Sequence, residues 1–248
     1  MAQFINFAHR GASAYCPENT MAAFRKALEL GATGIETDVQ RTADGRLVLI
    51  HDESLARTTG DERLVQQVNA EDLAQLDAGS WFDPSFANER VPALEELLEL
   101  GRQHQLVLNL ELKNGIVPYP GMEAEVIRAV RSFDMSQQVI ISSFNHYSLA
   151  LCKVLAPDIR TGVLYMEGLY QPWNYANTVG ADSLHAFKYA ILPEWVEEAA
   201  AQGIAYHPFT VNDEAEMERL LSYGVSGIIT DYPDRLREVL SRKGASAT

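Results

Sequence analysis

The residues with most chemistry to offer sit in short runs at the ends of apolar segments. His9 and Arg10 close the run FINFA and are followed by Gly11. Glu36 and Asp38 stand two apart in TGIETDV, and Glu111 and Lys113 two apart in LVLNLELK. Side chains two apart on a strand share a face, so each pair can converge on one point. Three carboxylates aimed at one pocket repel, since a like pair at about 4 Å costs about 4 kcal/mol at an effective dielectric of about 20. Either some are protonated or a divalent cation joins them. Hard oxygen donors without a thiolate favour Mg²⁺ or Ca²⁺ over a structural zinc site. An isolated E-x-D more often pairs with a neighbouring arginine or lysine. Between His-Arg-Gly on one strand and Glu-x-Lys on another, Glu36, Asp38 and Glu111 read instead as ligands of one divalent cation.

Of six histidines, His9 and His51 stand at strand ends near these carboxylates, and two imidazoles can divide acid and base roles near neutral pH. His104 and His146 fall beside helical segments. His207 precedes Pro208 in an apolar strand and reads as a hydrogen-bonded core residue, whereas His185 could line the pocket. Other strand ends finish in polar residues: Ser142-Ser143, Thr210–Asn212 and Thr230-Asp231.

These positions require strands alternating with helices. FINFA is short enough for a buried strand, Gly11 allows a sharp turn, and Asn19 or Thr20 can cap a helix over MAAFRKALEL. Core strands follow at TGIETDV, LVLNLELK, VIISSF, TGVLYM, ADSLHAF, IAYHPFTV and GIITDY, each with a helical segment after it. Eight strands and helices in 248 residues give the size and rhythm of a (β/α)8 TIM barrel, an α/β fold whose sites lie at the C-terminal ends of the strands. A doubly wound open sheet is the alternative. RLVLIHD ends at His51-Asp52, and from about Glu53 to Pro92 the rhythm breaks into a polar stretch. That stretch holds a helical patch at 71–77 and an aromatic loop, AGSWFDPSF, and reads as a small insertion between the second and third barrel strands. The whole chain, 1–248, reads as one domain with a frayed tail GASAT.

A net charge of −14 argues against nucleic acid or an anionic membrane surface as partner. No apolar run approaches bilayer length and no secretory pattern opens the chain, so no integral membrane association is expected. Two cysteines, Cys16 and Cys152, without a CxxC read as inert thiols and suit a cytoplasmic location. The helical faces identify no oligomer interface.

Taken in order, HRG at 9–11, PENT at 17–20, E-x-D at 36 and 38, LIHDESLARTTG at 49–60, DAGSWF at 77–82, VPALEELLE at 91–99, ELK at 111–113, SSF at 142–144, FTVN at 209–212 and GIITDYPD at 227–234 closely resemble the glycerophosphodiester phosphodiesterase family. The resemblance spans nearly the whole chain. It implies a barrel interrupted between its second and third strands and metal-dependent hydrolysis of a small-molecule glycerophosphodiester to glycerol 3-phosphate and an alcohol. It also implies a divalent metal at Glu36, Asp38 and Glu111, phosphate-binding cations at Arg10 and Lys113, and a catalytic pair at His9 and His51. Whether Glu18 and Asn19 touch substrate or brace the first loop stays open. Phe209 stands where the family usually has Trp, which bears on the apolar wall of the pocket. The rival readings are a metal-dependent sugar-phosphate isomerase or aldolase barrel, for which Lys113 is the one lysine that can be placed, and a non-catalytic barrel that binds glycerophosphodiesters.

Overall fold

A computed structural model of the protein describes residues 4–245. Its strands are β1 (Ile5–His9), β2 (Gly34–Arg41), β3 (Leu47–Leu49), β4 (Val107–Leu112), β5 (Val139–Ser143), β6 (Arg160–Tyr165), β7 (Ser183–Ala186), β8 (Ala205–Tyr206) and β9 (Gly227–Thr230). All but β3 pair in parallel in the order β8-β7-β6-β5-β4-β2-β1-β9. Backbone bonds from Ser226 to Tyr206, Ile229 to Pro208 and Val211 to Ile229 carry the ladder from β9 to β8 and its continuation, so the sheet curls into a TIM barrel. The strand expected over 204–211 is regular only at Ala205–Tyr206, because Pro208 has no N–H to donate to a ladder.

Helices α1 (Met21–Glu29), α4 (Leu94–His104), α5 (Met122–Ser132), α6 (His146–Leu155), α7 (Pro172–Val179), α8 (Pro193–Ala201), α9 (Glu214–Ser222) and α10 (Pro233–Ala245) wrap the barrel. Thr20 caps α1 by accepting the Ala23 amide, and Asp213 caps α9 by accepting that of Glu216. The main core lies between sheet and helices, where Ile35, Val39, Leu108 and Leu110 meet Phe24, Leu97, Leu98 and Val126. Of the tail GASAT, Gly244 and Ala245 extend α10 and the rest lies outside the described residues.

β3 runs antiparallel to β2 and leaves the barrel after the Thr42–Arg46 turn. Beyond it come the single-turn helices α2 (Ala56–Thr59) and α3 (Ala70–Leu73), the latter shorter than the patch expected at 71–77, and 3₁₀ turns at Val65–Gln67 and Pro84–Phe86. Val48, Ile50, Leu55, Val65, Val68, Leu73, Ala78 and Val91 form a second, small core that holds this excursion together.

The barrel interior is unusually polar. Phe7, Ile140 and Ile229 pack there beside His185 and His207, both buried, whose rings touch edge to face at 5.0 Å. His207 Nδ1 lies 3.1 Å from His185 Nε2, and Ser183 Oγ and Asn109 Nδ2 flank the His185 ring at 3.0 and 3.4 Å. A Cβ at Gly162 would collide with that ring, which is why β6 carries glycine there. His207 is thus the hydrogen-bonded core residue its position suggested, and His185 belongs to the same interior cluster.

Burial holds both imidazoles in the neutral form, lowering His207 to about 3 and His185 well below its usual value. The unfolded chain protonates histidine near 6.5, so below that pH it binds protons the folded chain does not. Stability is fully present above about pH 6.5 and falls on acidification toward pH 3, by up to about 1.4 kcal/mol per pH unit for each histidine. Urea unfolding across this range should therefore be less steep in His207→Asn than in the native chain, by about one proton. Equal slopes would mean that the pair is not held neutral.

Candidate active site

The end of β1 and the rows on β2 and β4 build the site. Parallel register sets His9 opposite Glu36 and Asp38 opposite Glu111. Glu36, Asp38 and Glu111 are buried, and one carboxylate oxygen from each lies within 4.8 Å of the others. Such a trio could hold a metal ion. Burial, then the charges of Asp38 and Glu111, push Glu36 well above the usual carboxylate range. Burial and Asp38 push Glu111 up to about 7, against the pull of Lys113. Burial also opposes ionisation of Asp38, but Arg10, His51 and Lys113 outweigh it and hold its pKa below the usual carboxylate range.

Arg10 and Lys113 border this cluster. Both Arg10 and Gly11 take left-handed backbone conformations, φ +55° and +82°, where a Cβ on residue 11 would strike Ala23. The turn lets the Arg10 amide donate to the Glu36 backbone oxygen at 2.9 Å and to its carboxylate at 3.1 Å. Arg10 Nη1 binds Glu18 at 2.9 Å, while Nε, 3.4 Å from Asp38, is buried with no hydrogen bond. Its charge is therefore turned onto Asp38 without a hydrogen bond to fix it there. Lys113 Nζ contacts Glu111 at 3.0 Å and Asp38 at 3.8 Å.

Each of the two imidazoles has its own carboxylate. His9 Nδ1 meets Asp231 at 2.6 Å, leaving Nε2 facing Glu36 at 3.9 Å. Asp231 is fixed by Ser13 Oγ at 3.0 Å and Asn212 Nδ2 at 2.6 Å. His51 Nδ1 meets Asp52 at 2.6 Å. Asp52 in turn is gripped by Arg57, which also forks onto Glu18 through Nη1 at 2.9 Å and Nη2 at 2.8 Å. The bond from Arg57, acting against burial, holds Asp52 at about 2. An ionised carboxylate only accepts, so both imidazoles donate through Nδ1 and keep Nε2 available.

Gln40, next after Glu36 and Asp38 on the inward face of β2, donates through Nε2 to the backbone oxygens of His51 and Asp52 at 3.0 and 2.7 Å. Tyr119 donates to its other end at 2.9 Å. One strand face thereby carries two of the acidic residues and pins the loop that holds His51.

All seven residues singled out in the sequence gather here. Asn19 braces, donating to Asp38 at 2.9 Å and accepting from Thr37 at 2.7 Å, and Glu18 ties Arg10 to Arg57. The supporting roles of Gln40, Arg57 and Ser13 were missed. Asp52, Asn212 and Asp231 were visible as polar strand ends, but nothing in the sequence paired them with a histidine.

A sequence model of the Glycerophosphoryl diester phosphodiesterase family matches residues 9–235. A glycerophosphodiester phosphodiesterase of Caldanaerobacter subterraneus subsp. tengcongensis is 48% identical over 237 residues, covering 96% of this chain and 98% of that one. One from Bacillus altitudinis is 45% identical over 232 residues, covering 92% and 95%. Among solved structures, an Oleispira antarctica phosphodiesterase in complex with the product sn-glycerol-3-phosphate superposes with a TM-score of 0.84 at 32% identity, covering 95% of this chain and 96% of that one. A protein from Silicibacter pomeroyi superposes at 0.87 with 29% identity, covering 96% and 93%.

Crowded carboxylates make a direct prediction. In EDTA at neutral pH, Glu36→Gln should unfold at higher urea than the native chain, by about 1 kcal/mol or more, because it removes the cost of either protonating this carboxylate or burying its charge. Adding Mg²⁺ or Ca²⁺ should raise the melting temperature of the native chain and not that of Asp38→Asn. An unchanged melting temperature in the native chain would remove the cation from this site.

Proposed function

The chain belongs to the glycerophosphoryl diester phosphodiesterase family and is a phosphoric diester hydrolase, and we propose that it splits glycerophosphodiesters by metal-dependent, two-histidine catalysis. The observation that carries the reading is the buried trio Glu36, Asp38 and Glu111, flanked by two imidazoles that each lean on a carboxylate. The substrate class is suggested by the relatives' named activity and by the glycerol 3-phosphate in the Oleispira complex.

Glu36, Asp38 and Glu111 would hold the divalent cation, Mg²⁺ or Ca²⁺, which supplies Lewis-acid neutralisation of phosphate charge when bound. Arg10, whose Nε makes no hydrogen bond, would turn its guanidinium to a phosphate oxygen, and Lys113 adds a second cation beside it. One imidazole Nε2 takes the proton of the nucleophile, and the other gives a proton to the departing alcohol oxygen. The glycerol 2-hydroxyl is the favoured nucleophile. It is already held next to phosphorus, an advantage of up to about 7–11 kcal/mol in good geometry. The resulting cyclic phosphate is opened by water with the two histidines in exchanged roles, giving glycerol 3-phosphate for glycerol and lipid metabolism.

An aldolase-type use of Lys113 is disfavoured by its bonding to Glu111, which keeps the amine protonated and raises its pKa against the effect of burial. Among the described residues no helix is long and apolar enough to cross a membrane. The free, buried thiols of Cys16 and Cys152 suit a reducing, cytoplasmic setting.

His9→Ala and His51→Ala should each lower turnover by about 10²–10⁴ with the fold intact, measured as glycerol 3-phosphate release. Near-native activity in either variant would end the two-histidine scheme. EDTA should abolish release, and Mg²⁺ or Ca²⁺ should restore it. Trapping of glycerol 1,2-cyclic phosphate supports the internal nucleophile, whereas solvent ¹⁸O entering in the first step without it favours direct attack by water.

A further inference from the structure

Beside the carboxylate trio, on the side away from His9, an open cleft of about 390 Å³ is lined by Glu53, Glu111, Lys113, Ile116, Ser143 and Phe144. Lys113 and Glu111 thus border both the phosphate position and the cleft, so whatever group is attached to the phosphate on this side must lie in it. We propose that this cleft is a subsite for a cationic alcohol leaving group, an ammonium or quaternary ammonium compound, with Glu53 as its specificity-determining residue. The inference rests on the phosphodiesterase reading and adds what that reading leaves open, the selectivity for the alcohol.

Glu53 follows His51 by two residues, on the loop pinned by Gln40. Its backbone oxygen accepts the Val65 amide, which fixes the residue. Among the described residues its carboxylate has no hydrogen bond and no ion pair, although that of Asp52, next to it in sequence, is held by Arg57. An unneutralised carboxylate at the edge of a cleft is a complement for a cation.

The remaining walls fit the same ligand. Phe144 is about half exposed and Ile116 largely so, giving an aromatic face and an aliphatic surface for the methyl or methylene groups of an ammonium. Phe144 is held edge to face against Phe209 at 6.2 Å, so its ring is a fixed wall. Lys113 would repel a cation, but its ammonium is turned onto Glu111 and Asp38 here and would be turned onto the phosphate in the substrate complex, so its charge is compensated in either state. The overall charge of −14 adds a field of the same sign as Glu53.

The test compares kcat/KM for glycerophosphocholine, glycerophosphoethanolamine and glycerophosphoglycerol on native enzyme and Glu53→Gln. The native enzyme should favour the two cationic substrates over the neutral one by about tenfold, and Glu53→Gln should lose most of that ratio through KM, with glycerophosphoglycerol little changed. The preference should shrink as salt is raised, a readout that needs no variant. A native ratio near one, a ratio insensitive to salt, or a parallel fall on all three substrates in Glu53→Gln would overturn the subsite. If no substrate is turned over, the phosphodiesterase reading has failed. Choline titrated calorimetrically into native and Glu53→Gln protein then decides the cleft alone: weaker binding in the variant sustains it, and equal or absent binding in both removes it.

Discussion

The arrangement depends on holding three carboxylates in one buried pocket against their own repulsion. Desolvation and mutual charge both work against ionising Glu36 and Glu111, while Asp38 is kept ionised by Arg10, His51 and Lys113. The barrel supplies what a flexible loop could not. Register on adjacent parallel strands fixes Asp38 opposite Glu111, so the side chains cannot separate without breaking the sheet. The repulsion is therefore stored as shifted acidity, which a bound cation would relieve.

The two imidazoles are supported from opposite sides by different means. Asp231, from the end of the last barrel strand, reaches His9 at the end of the adjacent first strand, steadied by the neutral donors Ser13 and Asn212. Asp52 reaches its sequence neighbour His51 and is clamped by Arg57. The excursion after β3 is thus part of the site. Its small core of Leu55, Val65, Val68 and Leu73 carries Arg57 to Glu18 and Asp52, linking the loop of Arg10 to that of His51.

How much of this was legible in the sequence follows from the range of the forces involved. Period-two spacing and strand alternation are local, so the rows Glu36–Asp38 and Glu111–Lys113, and the barrel itself, could be read from short windows. Side-chain partnerships across the fold leave no such trace. His9 and Asp231 are 222 residues apart in sequence, and Glu18 and Arg57 are 39 apart. Gln40 follows directly on the strand segment TGIETDV, and only the path of the excursion makes it the clamp on the His51 loop. The short regular stretch at Ala205–Tyr206 is another case, since apolar composition predicted a long strand while a single proline interrupts the ladder.

Charge balance connects the site to its proposed ion. Around the pocket stand Glu18, Glu36, Asp38, Asp52, Glu111 and Asp231, against Arg10, Arg57 and Lys113. Acids outnumber permanent cations two to one, within a molecule already at −14. A phosphodiester carries a further negative charge, and transition-state charge on its oxygens adds to that. Arg10 and Lys113 cannot offset this alone, because both are already engaged by Glu18, Glu111 and Asp38. A divalent cation on the trio would offset most of that excess and would leave those two side chains free to turn toward phosphate oxygens. The same excess of acid that would exclude an anion from the metal-free pocket is, on this account, what would draw in the cation that lets a phosphate bind.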